Sequence, residues 1–251
     1  LQARAESEQR LRQFVADASH ELRTPLASIQ GYTQLLQKGS ADEELALARI
    51  ASESARMSGL VEDLLLLARL DAGRELASDP VDLIPLAIDA VSDAHAAGPD
   101  HEWVLDLPQF DDEDEDCVSC TVAGDESALR QVFANLVNNA RIHTPAGTRV
   151  KVGVQVIGGG ASAPGFVRMS VADDGPGIPP ELRATVFDRF VRGDTSRSRQ
   201  GKGSSGLGLS IVSSIAEALG GRVDVDTVCE GEAKPGEHGT TFSVILPAAD
   251  N

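Results

Sequence analysis

Four groups of residues in this 251-residue chain combine reactive side chains with a spacing that chemistry can use. His20 and Glu21 are adjacent, and Thr24 follows His20 at i+4, which sets Thr24 and His20 on one face of a helix. A neutral imidazole nitrogen is a nucleophile, and a carboxylate beside it can take the proton from the other ring nitrogen. A lone helical histidine is equally an ordinary surface or core residue. Asn135 and Asn139 lie four apart among Val132, Phe133, Leu136 and Val137. Their amide oxygens are hard ligands of the kind Mg²⁺ takes, although a solvated asparagine pair has the same spacing. The run Asp173-Asp174-Gly175-Pro176-Gly177-Ile178-Pro179 directly follows an apolar strand. Its glycines and prolines make a fixed turn where backbone can approach a ligand, and its carboxylate can accept from an exocyclic amine such as adenine presents. Turns of this composition are also common without any ligand. Finally, Gly203-Ser204-Ser205-Gly206-Leu207-Gly208-Leu209 opens a helix, where unpaired N–H groups form a phosphate cradle. Arg192, Arg197, Arg199 and Lys202 precede it and can pair with phosphates, or be a solvated loop. No GK[ST] follows and no parallel βαβ unit surrounds it, so it is neither a Walker A nor a Rossmann motif.

The elements that must hold these residues fall into two textures. Val15, Ala18, Leu22, Pro25, Ile29, Tyr32 and Leu36 alternate steps of three and four, predicting one helix from residue 1 to about 38. Pro25 predicts a bend just after the histidine. Lys38-Gly39-Ser40 reads as a turn, and Asp42 caps a second helix reaching about Leu70. Its heptad positions are Leu47, Ile50, Met57, Val61, Leu64 and Ala68, widened by Leu60, Leu65 and Leu67. An apolar stripe that wide exceeds one antiparallel hairpin, so a second copy is expected to complete a four-helix bundle. We expect this hairpin domain over 1–72, a Gly- and Pro-bounded linker over 73–80, and a second domain over 81–251. There the pattern predicts helices at Val81–Ala97, Glu126–His143 with Asp125 as cap, and Leu207–Leu219. Strands are predicted at Trp103–Leu107, Val118–Ala123, Val150–Ile157, Phe166–Ala172, Val223–Val228 and Thr240–Leu246. Together these make an α/β two-layer sandwich with its helices on one face.

Composition narrows the function classes. A net charge of −17 argues against nucleic-acid binding, which needs a basic footprint. Residues 1–72 hold 11 acids and 8 bases, so most of the excess lies beyond them, much of it in the six acids Asp111–Asp116. That run reads as a solvated loop, since it lacks EF-hand spacing. Cys117, Cys120 and Cys229 are an odd count without a second CxxC, and read as free structural thiols in a reducing compartment. No apolar run of about 18 residues exists, so these residues alone read as soluble. The chain begins inside a helical pattern without Met, and is expected to be part of something longer.

Taken together, the segments resemble the sensor histidine kinases of two-component systems over nearly the whole chain. SHELRTPL resembles that family's H box, QVFANLVNNARIHTP its N box, DDGPGIP its G1 box, VFDRFVRGD its F box and GSSGLGLSIV its G2 box. The resemblance implies a dimeric phosphotransfer hairpin followed by a Bergerat-type ATP-binding domain. It implies His20 as phosphoacceptor, Glu21 as general base, and Thr24 as the residue that orients water for dephosphorylating the regulator. By the same similarity Asn139 coordinates Mg²⁺ and Asn135 lines that site. Asp173 binds the adenine amine in a pocket shaped by Gly175 and Gly177, and His143 lies beside the nucleotide. Arg192 and Lys202 reach the phosphates, and Gly206, Leu207 and Gly208 cradle them. The implied cofactors are ATP and Mg²⁺. The implied partners are a second copy and a response regulator of the winged-helix DNA-binding type, which FVADASHELRTPLASI specifically resembles. The implied location is the cytoplasmic portion of an inner- or plasma-membrane sensor, with the membrane reached only through preceding segments and no direct nucleic-acid contact. One position departs from the pattern: Ile142 stands where the family often has Lys, leaving a phosphate contact to Arg141, to Lys202 or to nothing. Competing readings are a phosphatase-dominant member of the same fold, a Bergerat ATPase akin to gyrase or mismatch-repair proteins, and a non-enzymatic docking module. The H box argues against the second.

Overall fold

From Ala18 to Leu36 the heptad positions of the first helix are buried or half-buried, whereas Val15, which opens the pattern, is 55% exposed. In the computed structural model, which describes residues 2–40, 42–108, 120–158, 165–191, 205–230 and 238–249, with side chains from residue 14 on, α1 spans Gln2–Gln37 and α2 spans Glu43–Asp71. The acidic run 111–116, Cys117, Arg192, Arg197, Arg199, Lys202, Gly203 and Ser204 lie outside the described residues. The chain divides into two compact units, 1–69 and 70–251.

In the first unit Gly39, at φ 64°, turns the chain, and its N–H donates to Leu36 O at 3.0 Å. Asp42 Oδ1 then accepts from Leu45 N at 2.8 Å and starts α2. Pro25 is buried inside an uninterrupted α1 assignment. The seam on α2 differs from the one predicted. Leu47 and Val61 are 53% and 41% exposed, and Ala68 is exposed, whereas Ala46, Leu60 and Leu67 are buried. Each of those lies one residue earlier in the chain. A heptad reading finds the centre of a wide apolar face, but one neighbouring helix covers only one flank of it. The uncovered flank of α2 carries Leu47, Val61 and Leu65 on one face, and Val15 and Leu26 share one exposed face of α1.

The second unit is a five-stranded sheet with helices packed on it, as the fold class predicted. The elements are β1 (Asp79–Asp82), α3 (Leu83–Ala97), β2 (Glu102–Asp106), β3 (Thr121–Gly124), α4 (Glu126–His143), β4 (Arg149–Ile157), β5 (Phe166–Asp173), α5 (Pro180–Arg183), α6 (Gly208–Ala218), β6 (Arg222–Val228) and β7 (Gly239–Pro247). Strand order is β2-β4-β5-β7-β6, with β2 and β4 parallel and the other neighbours antiparallel. Alternate residues of β5 (Val167, Met169, Val171) are buried, as are Phe133 and Leu136 of α4 and Ile211 and Ile215 of α6; α4 packs on β5 and α6 on β6 and β7, in a core from which water is excluded.

Local signals placed α4 closely. Asp125 accepts from the N–H groups of Ser127 and Ala128 at 2.9 and 3.1 Å, and the Ser127 hydroxyl holds its carboxyl below the usual carboxylate range. At α3 the prediction was two residues early. Val81 and Asp82 belong to β1, whose antiparallel partner β3 lies about forty residues away in sequence. Asp82 is the true cap, accepting from Ile84 N at 3.0 Å. Short α5 was not predicted.

Candidate functional site

The N-cap at Asp125 and the buried ridge Val132, Phe133, Leu136, Val137 and Ala140 fix the rotation of α4. With that face inward, Asn135, Asn139 and His143 follow one another at i+4 along its half-buried flank. At the helix end Thr144 is buried, and its hydroxyl donates to Ala140 O at 2.7 Å. Because that proton is committed, the Thr144 oxygen accepts from Nε2 of His101 at 3.0 Å, which selects the Nε2–H tautomer of His101.

Two adjacent aspartates end β5, and the structure separates their roles. Asp174 is exposed and accepts from Arg149 N at 2.8 Å, closing the strand end. Asp173 faces inward and accepts from Gly175 N at 3.0 Å. Burial pushes the Asp173 carboxyl up to about 6; N–H donors from Gly175 and Thr240 oppose that rise and the charge of Asp174 adds to it. The loop behind it is tied at several points. Ile178 N donates to Thr227 Oγ1 at 2.9 Å, Glu230 N to Pro176 O at 3.2 Å, and Nδ1 of His238 lies 2.7 Å from Gly175 O. Gly177 has φ 77°, and a Cβ there would collide with the Val228 carbonyl.

Asp173, Asn139, His143 and Gly177 line one pocket of about 620 Å³, a size that suits a nucleotide. Its walls are otherwise largely apolar, with Ile178, Leu182, Val186 and Phe242 among them. Leu209 of α6 lines it too, and brings the start of that helix to the site. Gly206, at φ 72°, lies so near the Phe190 backbone that a Cβ would stand 2.9 Å from Phe190 Cα. Leu207 is fully buried and, as the N-cap of α6, has no side-chain acceptor to offer the first N–H groups of the helix, while Ser205 Oγ accepts from Leu207 N at 3.3 Å. Asn135 packs on Gly208, where a Cβ would lie 3.5 Å from its Cγ, and among the described residues its buried Nδ2 has no hydrogen-bond partner. An orphaned buried donor beside an uncapped helix start fits an anion with several acceptor oxygens. The hard amide oxygen of Asn139, half-buried in the same pocket, fits a magnesium ion accompanying it.

Arg141 is not among the residues that line the main pocket. Its Nη2 donates to Asn138 at 2.7 Å and its stem lies against Gly98, on the α3 side of α4. A smaller cavity of about 180 Å³ lies there, lined by Leu86, Ala94 and Val137. Arg130 at its rim is already paired with Asp89 and Glu126, so the cavity offers little chemistry. Sequence reading missed Thr144, Cys229, Thr240 and His238 at the main site. They reach it from β6, β7 and a helix end, and only Thr144 lay within a motif already singled out.

His20, Glu21 and Thr24 belong to the hairpin unit. His20 and Thr24 are exposed on one face of α1, with Thr24 Oγ1 3.5 Å from His20 O. Glu21 is half-buried on the side of α2, where Arg56 lies 3.7 Å away.

Residues 10–73 match the family described as His Kinase A (phospho-acceptor) domain, and residues 124–250 the family described as Histidine kinase-, DNA gyrase B-, and HSP90-like ATPase. The Mycobacterium tuberculosis protein named Probable sensor histidine kinase TcrY is 52% identical over 98% of this chain. The chain spans 48% of that relative's length. The solved structure titled Mycobacterial sensor histidine kinase MprB is 31% identical, with a TM-score of 0.55, and covers 69% of this chain and all of its own. A histidine kinase solved with its response regulator, ThkA with TrrA, shares the fold at TM-score 0.69 and 23% identity, over 98% of this chain and 64% of that one. Among the described residues no helix is long and apolar enough to cross a membrane.

Proposed function

The chain belongs to the sensor histidine kinase family, and from that membership we propose that it is a protein-histidine kinase that moves a phosphoryl group from ATP to its own His20. The group then passes to an aspartate of a response regulator, and the same hairpin, through Thr24, orients water to dephosphorylate that regulator. The observation that carries the proposal is the pocket around Asp173. It joins a buried carboxylate to apolar walls, and Leu209 in its lining leads to the start of α6, where the Asn135 amide lies against Gly208.

Each residue then has a task. Asp173 accepts from the adenine amine, with Gly175 and Gly177 giving the loop its shape and His143 beside the nucleotide. The donors of Asn135 and of the backbone at Gly206, Leu207 and Gly208 hold phosphate oxygens. Arg192 and Lys202 pair with the same oxygens by charge, a role that rests on the family resemblance alone. Asn139 would hold Mg²⁺, which when bound screens charge on the phosphates. At His20 one ring nitrogen supplies the electron pair for the new N–P bond while the bond to the ADP oxygen breaks, and Glu21 receives the proton of the other ring nitrogen. Exposure of His20 suits both partners, since the nucleotide and later the regulator must each reach it.

In this reading residues 1–72 form the phosphotransfer domain, 73–80 the link and 81–251 the nucleotide domain. The exposed apolar flank of the hairpin supports a homodimer with a four-helix bundle. A response regulator is the proposed partner, in line with the regulator complex of ThkA; its winged-helix type rests on the resemblance carried by FVADASHELRTPLASI. Because ATP and such a regulator are cytoplasmic, the chain is placed on that side of the membrane.

Incubation with γ-labelled ATP tests the core of this. Acid-labile label on the wild type and none on His20→Gln is expected. Steady ATP turnover without label on His20 would point instead to a non-kinase ATPase of this fold.

A further inference from the structure

We infer that Arg56, held by Glu53, is a positioning residue for Glu21, and this rests on the reading of Glu21 as the base. The three side chains form one charged group across the hairpin. Arg56 Nη2 lies 3.7 Å from Glu21 Oε2, and Arg56 Nη1 lies 3.6 Å from Glu53 Oε2 one turn earlier on α2. Their side chains are 33%, 21% and 25% exposed, so the group lies at the interhelical boundary, neither in open solvent nor in the core.

Stability does not account for the arrangement. Pairs this exposed contribute from nothing to about 1 kcal/mol. The Glu53 oxygen is nonetheless buried and, among the described residues, has no hydrogen-bond partner, so its compensation comes from the nearby guanidinium. That arrangement costs free energy, and a role in orientation gives a reason for it. Glu21 has such a need. It follows His20 directly, so its Cα–Cβ bond is rotated by about 100° around α1 from that of His20. A flexible carboxylate in that place sweeps several rotamers, few of which address the imidazole. Arg56 restricts them from across the seam, and Glu53 restricts Arg56. The two carboxylates occupy the two ends of one planar cation, which confines it more tightly than either would alone.

The test uses the full chain as a dimer, with single-turnover autophosphorylation as readout. Because Arg56→Met would strand the Glu53 oxygen, it is made together with Glu53→Gln. Arg56→Lys is the conservative variant. The expected result is a roughly ten- to hundredfold lower maximal rate for the double variant, at unchanged KM for ATP and unchanged helix content. Arg56→Lys should recover part of the rate. In a Glu21→Gln background the same substitutions should cost nothing further, because there is no carboxylate left to position. An equal loss in that background would overturn the inference while leaving Glu21 as the base. A wild-type rate for Glu21→Gln alone would overturn the assignment of Glu21, and the inference with it. A double variant that labels at the wild-type rate would overturn the inference directly.

Discussion

The amide of Gly175 donates to Asp173 Oδ1 at 3.0 Å, and a Cβ placed on Gly175 would stand 2.7 Å from that same oxygen and 2.6 Å from Thr144 Cγ2. The glycine is thus a spacer that lets a buried carboxylate, a helix end and a loop meet without a side chain between them. Gly175→Ala should displace the carboxylate and weaken nucleotide binding by at least about tenfold, as a lost charge-assisted hydrogen bond would. Titration with a fluorescent ATP analogue checks this, and an unchanged affinity would remove the spacer role.

Asp173 also predicts a pH dependence. Its folded value is about 6 against an ordinary 3.8, chiefly from burial. Between those values the folded state binds more protons than the unfolded one, so this group's contribution to stability falls as pH rises through that window. If Asp173 holds the adenine amine as proposed, nucleotide binding should run the other way, because that amine needs the ionised acceptor. Affinity should rise with pH up to about 6 and then level, with up to about a tenfold change per unit on the acid side. Asp173→Asn should bind weakly and without that slope. Calorimetric titrations from pH 5 to 8 decide the matter.

Thr24 shares the exposed face of α1 with His20. Thr24→Ala should leave autophosphorylation within about twofold and lower dephosphorylation of the regulator by roughly tenfold or more, the scale of losing a residue that orients water. Equal losses in both assays would count against a role specific to the phosphatase step.

Leu65 is 53% exposed on the open flank of the hairpin. Burying a leucine is worth about 1.5–3 kcal/mol, and a two-fold interface uses it twice. Leu65→Glu should therefore weaken the dimer by roughly a hundredfold or more while helix content is retained. Light scattering over a concentration series reports the change, and an unaltered dimer would place the interface elsewhere.

Much of this was legible locally. The Asp125 cap, the apolar ridge of α4 and the i+4 spacing of Asn135 and Asn139 are properties of one contiguous segment, and α4 begins and ends where they say. The turn at Gly39 and the cap at Asp42 are equally local. The seam of α2 was not, because a periodic pattern describes how wide an apolar face is and leaves open which flank a neighbour covers.

The division between Asp173 and Asp174 shows the same boundary at the site. Both stand at the end of one strand before the same glycine, and the sequence alone determined that carboxylates, amides and glycines of a nucleotide site were present, in order and on which elements. The family resemblance had already singled out Asp173, but the physical reason that it and not Asp174 faces the pocket is strand register. Asp173 pairs opposite Thr240 of β7, while Asp174 is taken by the backbone of Arg149 on β4. Those partners lie far along the chain, as do His238 on Gly175 and Arg56 on Glu21. Spacing and residue type act over a few bonds, whereas burial, register and the pairing of distant charges exist only once the sheet and the hairpin have closed.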